Sequence, residues 1–332
     1  MSYKAEVIAD SVSPEGQRIS TLEVIMPRVL LAELNTHRVF SRNSASSRAI
    51  PTHKQIRRVL EDPYIPSVWG KDMPGMQGTE PLTNPGEIED AELAWLDARD
   101  TSVLAAVALM GGSEQLEYGS TGNRFTGEAL EDAIELRERV EELRKTTDFI
   151  APVMQHRMHK QNPNRLLEPW VWHTVVITST EWNNFYGLRT DAAAEPHIQI
   201  VANKMLEQHN ASTPEELTYD EWHLPYVREE DKAEHPKETL LKMAVARCAR
   251  VSYENQRDAG MVERDEKMYD RLTSNGHASP LEHPARPMTA EELSVSTFNG
   301  NFRGWWQHRS DLPRANNFQE LLGLEPYVQE RY

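Results

Sequence analysis

Alternating and helical spacings of apolar residues divide the chain into strand-forming and helix-forming stretches. Residues 4–10 and 19–34 are rich in Val, Ile and Leu and predict two strands, joined by a turn at residues 13–16. A β-branched, alternating run predicts a third strand over residues 171–178. The spacing of the apolar residues also predicts three long helices, over 89–110, 126–145 and 196–209, and a short basic helix over 53–61.

The stretches between these elements carry weaker patterns. Residues 63–87 are rich in Pro, Gly and Met without periodicity, which predicts a long loop. An acidic, proline-dotted connection over 211–240 predicts a short helix at 214–219. The last third predicts a helix over 265–272 and a strand over 292–298. Together these elements predict an α+β fold.

Composition narrows the class of protein. The 332-residue chain has a formal net charge of -16 and a pI near 5.3, which argues against a general nucleic-acid coat or a membrane-surface protein. No stretch approaches the ~20 apolar residues that span a bilayer, and the first residues lack an apolar signal region. The single cysteine, Cys248, allows no disulfide framework and no cysteine-based zinc site. We therefore expect a reduced, cytoplasmic protein.

One stretch, residues 35–48, concentrates donors for anionic or carbonyl oxygens. It holds three arginines, one histidine, four serines, one threonine and two asparagines. It follows the predicted strand 19–34 and precedes Pro51, where the chain turns. A donor-rich loop at a strand end suits a phosphate or the edge of a flavin ring, although composition alone favours a basic surface loop.

A second polar cluster covers residues 155–169. His156 and His159 stand three apart and would share a helix face, but no third ligand has a recognisable spacing, so we predict no metal site. On its local sequence alone, Arg165 is interpreted as a helix-terminal arginine in a surface ion pair. Cys248 lies in an apolar context, which favours a core thiol over a nucleophile.

The order of residues in the first stretch is more informative than its composition. Six positions follow the pattern His-Arg-x-x-Ser-x-Asn-x-x-Ser-x-Arg, namely His37, Arg38, Ser41, Asn43, Ser46 and Arg48. This pattern resembles the signature of flavin-dependent thymidylate synthases, the ThyX family. The run 165–169 resembles the family's Arg-aliphatic-aliphatic-x-Pro, and 184–189 resembles its Asn-Phe-x-x-Leu-Arg. Segments 244–253 and 275–283 are similar to its Ala-Arg-Val-Ser-Tyr/Phe and Gly-His-x-Ser/Thr-Pro-Phe-Glu-His.

The chain departs from the family at four positions. Thr36 stands where the family has Arg, Ser44 where it has Glu, Glu195 where it has Gln, and His197 where it has Glu. The run 303–309 echoes the family's Arg-Gln-Trp-x-Arg-His-Arg and would supply the Gln and Arg missing near Thr36. An aromatic anchor that packs on the core is the alternative for this run, and its composition favours that alternative.

The segments within 240–283 stand before the signature in the family and after it here, so the chain resembles a circular permutation. The resemblance implies a ThyX-like antiparallel sheet flanked by long helices, with permuted N- and C-terminal segments. It implies one catalytic domain over residues 1–332. The blocks of this domain are a signature block (19–51), a helical block (87–210), a permuted block (240–283) and an additional C-terminal segment (284–332).

The resemblance implies FAD-dependent methylation of dUMP to dTMP, with methylene-tetrahydrofolate and NADPH as co-substrates. It implies a homotetramer with its sites between subunits and no nucleic-acid or membrane partner. The nucleotide would be held by Ser46, Ser47, Arg48, Arg165 and Arg189. The flavin would be held by His37, Arg38, Val39, Asn43, Asn184, Leu188, Ser252, Ser279 and Glu282. Three residues would act in catalysis, namely Ser46, Arg189, which would stabilise negative charge on the uracil ring, and His277, which would lie near the reacting ring.

Two other functions remain open on the sequence. The departures at Thr36, Ser44 and Glu195 leave room for a related enzyme with another pyrimidine nucleotide, such as dCMP, or another one-carbon outcome, such as hydroxymethylation. A nucleotide-binding homologue without catalysis is the third alternative. Flavin bound to the purified protein would count against it.

Overall fold

The computed structural model describes residues 2–74, 80–119, 122–152, 156–253 and 261–312. Its strands are β1 (Lys4–Val12), β2 (Arg18–Pro27), β3 (Ser41–Ser44), β4 (Trp172–Ser179), β5 (Glu215–Glu216), β6 (Ala285–Pro287), β7 (Phe298–Asn299), β8 (Phe302–Arg303) and β9 (Trp305–Gln307). Its helices are α1 (Leu31–Asn35), α2 (Thr52–Glu61), α3 (Pro85–Met110), α4 (Glu128–Thr146), α5 (Gln161–Leu166), α6 (Asn183–Arg189), α7 (Pro196–Ala211), α8 (Glu229–Glu234), α9 (Lys237–Arg250), α10 (Val262–Ser274) and α11 (Ala290–Val295).

The central sheet has the order β3-β4-β2-β1-β5, and all of its pairs are antiparallel except the short parallel contact of β5 with β1. Leu22 lies opposite Ile177, and Thr21 lies opposite Thr178. Successive residues of a strand point to opposite faces. One face of the central strands is therefore apolar, and the other carries a row of hydroxyls.

The apolar face packs on α6 and α7. Its buried cluster contains Leu22, Val24 and Met26 of β2, Val175 and Ile177 of β4, Phe185 of α6, and Ile198, Val201, Ala202 and Met205 of α7. On the opposite face, Val176 packs with Cys248 and Val251 at the end of α9. A separate apolar cluster joins α2, α3 and α4 with the residues that lead into β4. Helices thus cover both faces of the sheet.

The predicted α+β class, with an antiparallel sheet flanked by long helices, is confirmed. The predicted helices appear as α2, α3, α4 and α7 with small shifts of their ends. Asn84 caps the start of α3 through a bond from the Gly86 amide, and Gly111 ends it in the left-handed region at φ 95°. Within the described residues, no helix has the length and apolarity needed to cross a membrane.

The strand predicted over 19–34 is too long. Pairing stops at Pro27, and residues 28–30 form a 3-10 turn that leads into α1. Leu30 and Leu34 are both buried in the core and stand four apart, the spacing of one helix face. The Val, Ile and Leu content of this stretch therefore reflects burial rather than an extended backbone.

Two short predictions are also wrong. Residues 214–219 were predicted as a helix but contain β5, because the Leu217 amide donates to the Val12 carbonyl and aligns this segment with the sheet edge. Residues 292–298 were predicted as a strand but contain most of α11. Thr289 and Glu292 form a reciprocal capping box at its start, and this local pair outweighs the β-branched composition. The part of the additional segment after residue 312 lies outside the described residues.

Candidate active site

An open groove lies where the chain after β3 meets the end of α9 and the connection after α10. We call it the main groove, and its volume is about 580 Å³, within the size range of ligand sites. It is lined by Asn43, Ser46, Arg48, Ala49, His159, Ala249, Ser252, Arg271, Leu272, Asn275, His277, Ser279 and Pro280. Six predicted site residues from two distant blocks therefore line one groove.

Backbone and buried amide contacts hold these blocks together. The Ser46 amide donates to the Ser252 carbonyl at 3.1 Å. From the other side, the buried Asn164 side chain donates to the carbonyls of Ser47 at 2.7 Å and Ile50 at 2.8 Å. The loop after β3 is thus fixed between α5 and the end of α9. Ser47 contributes its carbonyl to this scaffold and does not line the groove.

The charged groups of the main groove are cationic. Arg48 and Arg271 line it, His159 and His277 add two imidazole rings, and among the described residues no Asp or Glu lines it. Within the described residues, the side chains of Arg48 and Arg271 form no ion pair with a carboxylate. Guanidinium groups without internal partners suit a phosphate. In this acidic protein the positive charge is gathered locally at the groove.

A second cavity, which we call the side cavity, lies next to β3 and has a volume of about 490 Å³. It is lined by Arg38, Phe40, Glu282, Gly300, Asn301, Gln307, Arg309 and Ser310. Arg38 and Glu282, both predicted for the flavin, therefore share a cavity. Ser279 and Glu282 belong to one 3-10 turn, so this turn borders both cavities.

The run 303–309 divides between the core and the side cavity. Trp305 is fully buried and anchors the run in the core, whereas Gln307 and Arg309 reach the side cavity. The Gln307 amide donates to the Ser41 hydroxyl at 3.2 Å and to the Glu282 carbonyl at 3.1 Å, and Arg309 pairs with the Glu282 carboxylate. Gly300 leaves room for Gln307, since a Cβ there would lie 1.8 Å from its Oε1.

His37 and Arg189 lie elsewhere and contact each other. Arg189 Nε donates to His37 Nε2 at 3.1 Å, and its Nη2 donates to the Thr36 hydroxyl at 3.0 Å. Burial, followed by the charges of Arg189 and Arg42, lowers the pKa of His37, which keeps the imidazole a neutral acceptor. Neither residue lines the main groove or the side cavity.

The remaining predicted site residues lie outside both cavities. Asn184 and Leu188 are exposed on α6 beside Arg189, and Leu188 is 56% exposed. Arg165 is exposed on α5, next to the buried Asn164. Val39 offers its carbonyl to Asn301 at 2.8 Å and packs against the core. A single chain thus assembles part of the predicted set and leaves the α6 residues at a separate surface.

The departures at Glu195 and His197 have a structural explanation. Glu195 caps α7 by accepting from the amides of His197 at 2.9 Å and Ile198 at 2.8 Å. Its other oxygen contacts His197 Nδ1 at 2.5 Å, and His197 Nε2 accepts from the amides of Ser67 and Val68. These two residues therefore attach the loop after α2 to the sheet-covering helix. The side chain of Ser44 has no hydrogen bond within the described residues.

Sequence reasoning missed several residues of the two cavities. Arg271 and Asn275 lie on the α10 side of the main groove, and Asn301 lies in the side cavity. Nothing in the local pattern distinguishes Arg271 from other charged residues of an amphipathic helix. His159, considered only for metal binding, also lines the main groove. No group of three His, Cys, Asp or Glu among the described residues has a metal-site arrangement.

An α+β fold whose groove carries two arginines and, among the described residues, no carboxylate is suited to a phosphorylated small ligand. Comparison with known families makes this specific. The family model described as "Thymidylate synthase complementing protein" matches residues 13–215, more than half of the chain. The chain belongs to this family, which acts in thymidylate synthesis. No curated protein matches the chain. The matched range contains the signature block and ends before residue 240, so the permuted order stays a prediction.

Proposed function

We propose that the protein is a flavin-dependent thymidylate synthase that methylates dUMP to dTMP with methylene-tetrahydrofolate and NADPH. The observation that carries this proposal is the main groove. In a chain of this family, residues of the signature, Asn43, Ser46 and Arg48, line it together with Ser252 and His277 from the later block. Six residues predicted for this pair of ligands thus surround one groove, which supports the proposal.

The donor set of the groove fits both the nucleotide and FAD. The Ser46, Ser252 and Ser279 hydroxyls and the Asn43 amide suit carbonyl oxygens and ring nitrogens, and Arg48 suits a phosphate. Arg38 supplies a further cation at the neighbouring side cavity. When bound, the flavin would supply the transfer of reducing equivalents, which no side chain provides. The protein would bind, orient and neutralise charge.

Arg189 would stabilise negative charge on the uracil ring, and its side chain is already held in one orientation. His37 and Thr36 accept two of its donors and fix the guanidinium plane. Because α6 lies apart from the main groove within one chain, we propose that α6 of a neighbouring protomer completes the site. Asn184 and Leu188, exposed on the same helix, would then reach the flavin, in agreement with the proposed homotetramer.

One observation favours a second candidate, a related enzyme with a different pyrimidine nucleotide or one-carbon outcome. Thr36 occupies the position of a family arginine, and its hydroxyl binds Arg189. An arginine at position 36, as in the family, would place a second cation beside Arg189. With Thr36, this chain has one positive charge fewer facing the base. A change of this kind at the base would alter which pyrimidine the enzyme prefers.

The test is to purify the protein, load it with FAD, and follow its absorption band and the methylation of dUMP and dCMP in competition. We expect a bound flavin and turnover of dUMP. In Arg48→Ala, dUMP affinity should fall about tenfold or more, because a charge-assisted bond to phosphate is lost. Lys54→Ala, an exposed cation on α2 outside the groove, is the matched control. A protein that takes up no FAD refutes both candidates, and turnover of dCMP alone refutes the first.

A further inference from the structure

A continuous row of buried hydrogen bonds crosses the hydroxyl-bearing face of the sheet and ends at the main groove. All of its members are at most 8% exposed. We call it the buried relay, and its members in order are Ser11, His223, Thr21, Thr178, His283 and Asn43. It connects β1, β2, β4 and β3 through His223 and His283, which both come after the last strand of the central sheet in the chain.

The groove end of the relay consists of three contacts. His283 Nε2 lies 3.2 Å from Asn43 Oδ1, and His283 Nδ1 lies 2.8 Å from Thr178 Oγ1. Thr178 Oγ1 lies 2.6 Å from Thr21 Oγ1 across the strand pair. His283 and both threonines are fully buried, so no solvent competes for these groups. Asn43 alone among the six residues lines the groove.

The far end closes the row. His223 Nε2 lies 2.8 Å from Thr21 Oγ1, and His223 Nδ1 lies 3.0 Å from the Ser11 hydroxyl. A neutral imidazole has one donor and one acceptor nitrogen. Burial lowers the pKa of His223 and His283 to about 3, so both rings are neutral near pH 7. Each ring therefore accepts a hydrogen bond at one nitrogen and donates one at the other, so donation runs in the same direction on both sides of the ring.

Every contact of the relay is a hydrogen bond only if all of its donors point the same way along the row, so only two arrangements are possible. In one, donation runs from Ser11 to Asn43, the Asn43 carbonyl oxygen accepts from His283, and its NH2 group is free for the groove. In the other, every donor reverses and the Asn43 oxygen faces the groove. Asn43 Oδ1 lies toward His283 Nε2, and because an amide oxygen can only accept, this orientation corresponds to the first direction.

We propose that His283 and Thr178 are positioning residues, which orient the Asn43 amide so that its NH2 group donates to a carbonyl or ring acceptor of the ligand in the main groove. The ligand class rests on the proposed function, whereas the direction of the relay does not. An amide turned the other way would present an acceptor to the same ligand atom. That contact would be repulsive, so the relay determines which ligand edge the groove accepts.

The direction can be tested on the protein without ligand. Nitrogen-15 NMR of histidine distinguishes a ring nitrogen that carries a proton from one that does not. We expect both His283 and His223 to carry the proton on Nε2. Protonation of His283 on Nδ1 instead would overturn the proposal, whatever the activity of the protein. This measurement needs no variant and therefore does not depend on whether a variant folds.

The role toward the ligand is tested with Thr178→Val, which removes one relay hydroxyl at similar volume. Thr178→Ser keeps the hydroxyl and should rescue, and Thr174→Val, on the same strand outside the relay, is the matched control. In Thr178→Val we expect a mixture of His283 tautomers and about tenfold weaker binding of FAD or dUMP. Wild-type affinity for both ligands together with a single His283 tautomer in Thr178→Val would refute the positioning role. Failure of wild-type protein to bind either ligand would refute the proposed function and leave the tautomer result standing.

Discussion

Glu195→Gln replaces the N-cap of α7 with the residue that the family has at this position. The two side-chain oxygens of Glu195 have different partners. One accepts hydrogen bonds from the amides of His197 and Ile198, and the other contacts His197 Nδ1. Glutamine has one side-chain oxygen, so it can perform one of these tasks but not both. If His197 loses this partner, the amides of Ser67 and Val68 lose a fixed acceptor as well.

The magnitude follows from the bonds that are lost. Removing an N-cap costs about 1 kcal/mol, and a hydrogen bond to a charged group contributes about 1.5–3 kcal/mol when buried. The Glu195 side chain is 38% exposed, which reduces the second contribution by solvent screening. We therefore expect Glu195→Gln to lower the free energy of unfolding by about 1–2 kcal/mol near pH 7.

The effect should depend on pH in a defined direction. Burial alone would raise the pKa of Glu195, but the hydrogen bonds from His197 and the helix amides outweigh it and lower the pKa below its ordinary value. A carboxyl group with a lowered folded-state pKa stabilises the protein fully above its ordinary pKa. This contribution is lost as the pH falls through the folded-state pKa. The stability curves of wild type and Glu195→Gln should therefore converge in acid.

Urea denaturation near pH 7 and at a pH well below the ordinary carboxyl pKa measures both quantities, and hydrogen exchange reports on the Ser67 and Val68 amides. The control is Glu207→Gln, an exposed residue of the same helix without a side-chain partner in the described part of the chain. It should match wild type at both pH values. Equal stability of Glu195→Gln and wild type near pH 7, or parallel curves down to acid pH, would refute the reasoning.

Three further predictions concern buried charge, the thiol and the groove. Asp265 is fully buried between Arg247 and Arg250, so Asp265→Asn should lower the free energy of unfolding in urea by about 3 kcal/mol. Burial raises the pKa of Cys248, so thiol reagents should label it only after unfolding, and Cys248→Ala should keep nucleotide methylation. Arg271→Ala should weaken dUMP binding and reduce its salt dependence in calorimetry, and unchanged binding at all salt concentrations would exclude Arg271 from the phosphate site.

Local patterns predicted the elements whose stability is local. Helices α3 and α4 were predictable because their signals are local: apolar residues at helical spacing in both, the Asn84 cap of α3, and the acidic first turn and basic last turn of α4. β5 was not predictable, because its two exposed residues are extended only by pairing with Ser11 and Val12 of β1. The strand over 28–34 failed for the converse reason. Its apolar residues indicate that the segment is buried, but they do not distinguish a helix from a strand, which depends on the residues that pack against it.

The candidate site divides in the same way. The signature order located the groove residues Asn43, Ser46 and Arg48, because that order encodes a fixed backbone with donors at fixed intervals. It could not reveal that Thr36 holds Arg189, since 153 residues separate the two. Nor could it assign His283 a role, because its partners Thr178 and Asn43 lie on two strands far from it in sequence. Contacts of this kind depend on topology, which a local motif does not contain.

The topology also explains why block order matters little to the groove. β3 is an edge strand, so one of its sides is available to any segment that can reach it. Ser252 and the turn at 279–282 approach there through a backbone bond to Ser46 and the bond between His283 and Asn43. These contacts require proximity in space and not continuity of the chain. The edge position of β3 would therefore allow a chain with the predicted permuted order to form the same proposed ligand site.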